Sequence, residues 1–273
     1  MKMKRKPLDF VRYILRKVLL VTLSLIIIFP LFYMASSSLF SSSDFNNLRL
    51  LPSVPVWENY VKALNNKYFF TYVFNSIGTS VLSALLRTVI VSLAAFAFAF
   101  LSFRGKKAIF IALVLTLFIP QEAILYQNYR TVAGLGLLDS WLGIIITGLF
   151  PAAQMLLITG SFSSTGKEVY EASKIDGATD LKFMIHILLP LCSPAVMTVA
   201  IQSLIVSFNS YLWPLLVTNK PASRTIQTGM TMLGFAESGQ YGPQMATLVL
   251  VTLPFLIILA FTRKKIESTL IRR

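Results

Sequence analysis

Long apolar runs separated by short polar clusters make up this chain, and the runs are too long and too numerous for a soluble core. A membrane-crossing helix needs roughly 20 mostly apolar residues. Six stretches approach or exceed that length: Val18–Ala35, Ser76–Leu101, Ala108–Tyr126, Trp141–Gly160, Leu191–Pro214 and Met245–Thr262. The pattern predicts an all-α, polytopic membrane protein with six transmembrane helices. The first stretch follows Lys2, Lys4, Arg5 and Lys6, as a signal peptide would. Its apolar core exceeds the roughly 7–15 residues of a signal sequence, so a retained anchor is expected.

Composition agrees with a bilayer as solvent. Hydrophobic residues make up 55% of the 273 and charged residues 13%, about half the roughly 25% charged residues of a globular domain. The formal net charge is +14, which on a soluble domain would suggest nucleic acid. Here the cations flank apolar runs instead, a pattern of membrane topology, so lipid and not nucleic acid is the expected surroundings. With the N-terminus placed in the cytoplasm, eighteen cations fall inside, six fall outside and Arg87 lies within a span. That asymmetry predicts both termini cytoplasmic, with 1–17 a cytoplasmic tail, 18–273 a single transmembrane domain, and 161–190 its main cytoplasmic loop.

Residues for enzymatic chemistry are scarce. His186 is the sole histidine and Cys192 the sole cysteine, so no His-based metal site, catalytic triad or intrachain disulfide can be built. Cys192, between Pro190 and Pro194, reads as a small buried hydrophobe. The stretch Gly160–Gly166 followed by Lys167 resembles a phosphate-binding loop, but five residues separate its glycines and Glu168 stands where a magnesium-binding Ser or Thr belongs. No catalytic residue, cofactor site or metal site is expected, and any ATP must be bound by another chain.

The informative segment is Glu171-Ala172-Ser173-Lys174-Ile175-Asp176-Gly177-Ala178, running on to Ile187-Leu188-Leu189-Pro190. Physically it reads as a polar helix, a glycine bend, and an amphipathic helix returning to the membrane at a proline. A solvated loop would fit the same composition. The spacing, however, resembles the signature loop of ABC importer permeases of the carbohydrate-uptake family. Further likeness lies in Asn75-Ser76, Leu93–Ala97 with Phe103–Lys106, Ile119-Pro120, Leu135–Ser140 and Asn209–Leu216. The whole is similar to the second permease of maltose-type systems, and Pro120-Gln121-Glu122 with Tyr241-Gly242-Pro243 lean toward the glycerol-3-phosphate type. Ser173 departs from the usual alanine.

That resemblance implies a multi-pass protein of a prokaryotic plasma (inner) membrane that imports a sugar or polyol phosphate. It implies three partners: a dimer of ABC ATPase subunits, a second homologous permease, and an extracytoplasmic solute-binding protein that meets the outer loop near Lys220–Gly242. It also assigns coupling to the ATPase to Glu171, Ala172, Ser173, Asp176, Gly177 and Ala178. A rival from another class, an ion-coupled secondary transporter, requires carboxylates within the spans, and Glu122 is a thin basis for it.

Polar groups in spans mark candidate pathway positions. Arg87 lies near the midplane, where arginine costs about 2.5–3.5 kcal/mol on insertion scales. It either lines a watery pathway or pairs internally, with Glu122 as the obvious partner. Gln121, Glu122, Asn209 and Tyr211 complete the candidate set, since amides, hydroxyls and aromatic faces suit a sugar. Tyr211 fits an interfacial anchor equally well.

Overall fold

A computed structural model describes residues 7–235, 238–254 and 256. Among them the secondary structure is helical throughout, with no strand. They fall into two compact units, one formed by the chain before Tyr68 with the stretch after Thr231, the other by Tyr68–Thr231.

In the first unit, α1 (Pro7–Ser37) carries a long apolar segment that protein leaves largely uncovered until Ser36 and Ser37 at its end, which are buried. A helix apolar all round and uncovered needs hydrocarbon about it. Residues 7–17, expected in a tail, are helical and continuous with the rest of α1. After α1 come α2 (Ser42–Asn46) and α3 (Glu58–Leu64). Asp44 organises this segment: it is 1% exposed, closes a capping box with Ser41, and accepts hydrogen bonds from the Ser53 hydroxyl (2.6 Å) and backbone N–H (3.3 Å). Donation from Ser53 and Ser41 holds its carboxyl down to about 2. A helical stretch over 241–254 completes the unit. Its Gly242 lies against the Asn59 amide, where a Cβ would overlap, so this glycine serves close approach. The expected sixth span, Met245–Thr262, lies partly outside the described residues, as do the last cationic clusters.

The second unit is built on α4 (Phe69–Phe100), a 32-residue helix whose buried positions recur at three and four residues. Many are small: Ser76, Ser80, Ser83, Ala84, Ser92, Ala95 and Ala99. Small side chains let neighbouring helices approach closely where lipid offers no hydrophobic drive to associate. The neighbours are α8 (Ala152–Ser163) and α12 (Ser193–Phe208). Their shared core holds Val91, Ala95, Phe96, Met155, Ile158, Phe162, Leu188 and Val199, with Cys192 buried among them as expected.

The remaining spans are bent, and prolines account for the bends. α5 (Lys106–Leu115) tightens into a 3₁₀ turn and stops at Phe118; beyond Pro120 the chain leaves at 99° through a 3₁₀ turn (Gln121–Ile124) into α6 (Leu125–Gly134). Proline disfavours helical backbone at the preceding residue, and Ile119 is extended. The straight span read over Ala108–Tyr126 is therefore an elbow. The pair Trp141–Gly148 and Ala152–Ser163 bends by 58° next to Pro151, with α7 (Trp141–Ile145) opening it. The pair Asp180–Leu191 and Ser193–Phe208 bends by 85°. Here Pro190 cannot donate to the His186 carbonyl, and the backbone before it widens into a π-helical turn, Met184–Leu188.

Several motif residues prove to be clamps. Asn75 donates its amide to the Ala222 and Arg224 carbonyls (both 2.9 Å) and accepts from the Trp141 indole at 3.0 Å. Ser76 accepts from the Ile226 N–H at 2.7 Å. Asp139, in the left-handed region at φ 59°, accepts from the Asn219 and Lys220 N–H groups. These bonds tie the segment 219–226 to α4 and to the loop that precedes α7.

Candidate functional site

Two features of the second unit can do transport chemistry: a polar cavity inside the bundle and an exposed elbow at one end of it.

The cavity, about 360 Å³, falls in the range of ligand pockets. Arg87 reaches it from the middle of α4, roughly 27 Å from the helix start and about 20 Å from its end at 1.5 Å per residue. Gln121 and Asn128 enter from the Pro120 elbow, Gln154 from α8, and Gln202 and Ser207 from α12. Thr79, Ser83, Thr147, Ser210 and the Trp213 ring complete the polar wall. Amides and hydroxyls here are held from behind. The Ser203 hydroxyl donates to Gln154 Oε1 at 2.9 Å, and the Ser207 hydroxyl donates to Ser83 at 2.8 Å. The Trp213 indole is pinned by the Gly143 and Ile144 carbonyls.

Arg87 has no ion-pair partner among the described residues, and its buried Nε has no hydrogen-bond partner. Its Nη2 lies over Gly148, where any Cβ would overlap it. The internal pair with Glu122 is therefore absent: Glu122 is exposed in the 3₁₀ turn after Pro120 and is no part of the cavity wall. Of the five candidate pathway residues, Arg87 and Gln121 meet at the cavity. Asn209 is exposed and spends its amide on the Ile205 carbonyl, and Tyr211 is exposed outside the wall. Gln154, Gln202, Asn128 and Ser207 were missed. The only signal for them was an amide or hydroxyl within an apolar run, which helical spacing alone does not orient.

The second feature is the elbow. α9 (Lys167–Ile175) ends in a Schellman cap: the Ala178 N–H bonds the Ser173 carbonyl and the Gly177 N–H the Lys174 carbonyl, with Gly177 left-handed at φ 78°. Thr179 then caps α10 (Asp180–Phe183) through its side chain. The expected helix–glycine–helix is thus present. Glu171 and Ala172 lie on its open face with Asp176 and Gly177 at the tip, and Ile175 is 87% exposed. Ser173 turns the other way: it is buried and bonds its own helix at the Tyr170 carbonyl, so it cannot offer a surface to another protein. The inner side of the elbow is anchored by rings. Tyr170 packs with Phe183, Phe100 and Phe96 at centroid distances of 5.1, 5.2 and 6.2 Å. Asp180 accepts from the Tyr170 hydroxyl at 2.6 Å and pairs with Lys174 at 2.5 Å. Lys174 and then Tyr170 hold the Asp180 carboxyl below its ordinary range. The stretch resembling a phosphate-binding loop begins inside α8, which excludes that reading.

Among the described residues no cluster of His, Cys, Asp and Glu could hold a metal. An apolar helical bundle with a polar cavity and a braced, exposed elbow defines a membrane transport component. The chain belongs to the family of binding-protein-dependent transport system inner membrane components, whose model matches residues 70–272. It is 30% identical to the sn-glycerol-3-phosphate transport system permease protein UgpE of Rhizobium meliloti, over 84% of this chain and 86% of that one. It is 28% identical to the trehalose/maltose transport system permease protein MalG of Thermococcus litoralis, over 94% and 96%. Its fold matches a chain of a bacterial ABC transporter involved in the import of alginate, with TM-score 0.85 over 96% of this chain and 99% of that one, at 24% identity. Family members are transport permeases, not enzymes, and none of these likenesses supports an ion-coupled carrier.

Proposed function

We propose that this chain is one of two permease subunits of an ABC importer for a sugar or polyol phosphate. In this reading the chain has six spans and both termini in the cytoplasm, with 1–17 a cytoplasmic tail, 18–273 one transmembrane domain, and its cytoplasmic loop 161–190 facing a dimer of ATPase subunits that bind the ATP. A solute-binding protein delivers solute on the outer side. The names of the relatives and the eighteen-to-six cation asymmetry support this reading.

The observation that carries it is the exposure of Ile175 on an elbow whose other side is locked to α4. An apolar side chain left open at the tip of a rigid projection suits insertion into a partner groove. Closure of the ATPase dimer on ATP would then move Glu171, Ala172 and Ile175 together. The ring cluster passes that motion to α4 and the cavity, driven by the different affinities of nucleotide for the two states. The test is co-isolation: wild-type chain brings down its ATPase, whereas Glu171→Lys with Ile175→Asp inserts normally and loses the ATPase and uptake. Uptake and co-isolation at wild-type levels in the double variant would refute the docking role.

A further inference from the structure

Among the described residues the cavity carries one charge and nothing to balance it. Its wall, among the described residues, contains Arg87 with the amides of Gln121, Asn128, Gln154 and Gln202, and no Asp or Glu. The Arg87 Nε is buried without a partner, and no described carboxylate pairs with the guanidinium. A guanidinium deep in a span is retained against a cost that a neutral amide would avoid. A neutral sugar could accept hydrogen bonds from it but would leave the charge uncompensated, whereas an oxyanion matches its planar fork of donors. The relatives leave the question open, since the transport systems they are named for include ones for neutral saccharides and for a phosphate ester.

We propose that Arg87 selects for an anionic solute, a polyhydroxylated molecule bearing a carboxylate or phosphate, with the amides of Gln121, Gln154 and Gln202 receiving its hydroxyls. This rests on the permease reading and narrows its solute class. One arginine attracts an anion without the multiple fixed charges that would hold it too tightly to leave. Gly148 permits the arrangement, because only a residue without a Cβ leaves room for Nη2.

The experiment uses the assembled transporter, with its partner permease and ATPases, in lipid nanodiscs. Binding of sn-glycerol 3-phosphate, digalacturonate and maltose is measured by calorimetry for wild type, Arg87→Gln and Arg87→Lys. At least one charged probe is expected to bind tenfold or more tighter than maltose, and which one does so separates phosphate from carboxylate. Arg87→Gln brings that ratio close to one, and Arg87→Lys keeps most of it. The ratio is internal to each variant, so a lower yield of folded protein does not alter it. The inference is overturned if maltose binds wild type as tightly as both charged probes, if neither charged probe binds, or if Arg87→Gln keeps the wild-type ratio. Co-isolation of the ATPases and ATP hydrolysis stimulated by the binding protein are read on the same preparation. If those are intact, such a result removes only the charge selection; if the ATPases do not assemble with the chain, the permease reading falls and this inference with it.

Discussion

The Tyr170 hydroxyl donates to Asp180 across the Gly177 bend at 2.6 Å, while its ring sits among Phe96, Phe100 and Phe183. One side chain thus joins both arms of the elbow to the end of α4. Truncation and hydroxyl removal should separate its two roles. Tyr170→Ala leaves a void among three rings and destabilises the unit by about 2–3 kcal/mol, less than a fully buried aromatic because the residue is partly exposed. Tyr170→Phe keeps the packing. Thermal unfolding of the assembled complex should rank wild type, Phe and Ala in that order, and ATP hydrolysis should uncouple from uptake in the Ala variant first.

The Lys174–Asp180 pair sets the pH range of the elbow. Asp180 is depressed from its ordinary 3.8, chiefly by Lys174, so its contribution is whole above that value and is lost as pH falls through the lower folded value. Lys174 is raised from its ordinary 10.5, chiefly by Asp180, so its contribution is whole below 10.5 and is lost as pH rises through the higher folded value. Cleavage of the elbow by protease should therefore stay flat from about pH 5 to about pH 9. Both side chains see solvent, so the pair is screened and Asp180→Asn has a small effect that fades further in high salt.

Gly177 is left-handed at φ 78° with open space where a Cβ would go. Strain and not collision governs substitution there. Gly177→Ala should cost about 1 kcal/mol and leave measurable uptake, whereas Gly177→Val, β-branched, should cost more and abolish it. Equal uptake in the two variants would contradict a strained bend.

Gly78 on α4 lies directly under the Trp141 indole, so any side chain at this position displaces that ring. The displaced indole loses its bond to Asn75, which in turn steadies the Ala222 and Arg224 carbonyls. Gly78→Val should destabilise the unit by about 1–3 kcal/mol, as overpacking does. The loss should appear in thermal unfolding and in faster proteolysis of the 219–226 segment. Pairing Gly78→Val with Trp141→Ala should relieve the collision and recover part of the loss.

Much of the architecture was legible along the chain, because a span declares itself by apolar length and a bend by where proline or glycine interrupts it. The elbow at 161–190 was legible for the same reason: Gly177 and Pro190 dictate backbone conformations that neighbouring residues cannot overrule. Pro120 carried the same information, yet hydropathy averaged across it and read a straight helix where the chain turns by 99°. Side-chain direction lay beyond the one-dimensional pattern. Gln154 and Ser203 are 49 residues apart and Ser83 and Ser207 are 124 apart, and only the crossing of α4, α8 and α12 brings their polar atoms together. The same packing turned Ser173 inward, left Asn209 and Glu122 outside the cavity, and gave Arg87 no carboxylate among the described residues. Local residue type determined which segments form apolar helices and where they bend; the angles at which separate helices meet decided which polar groups share a space.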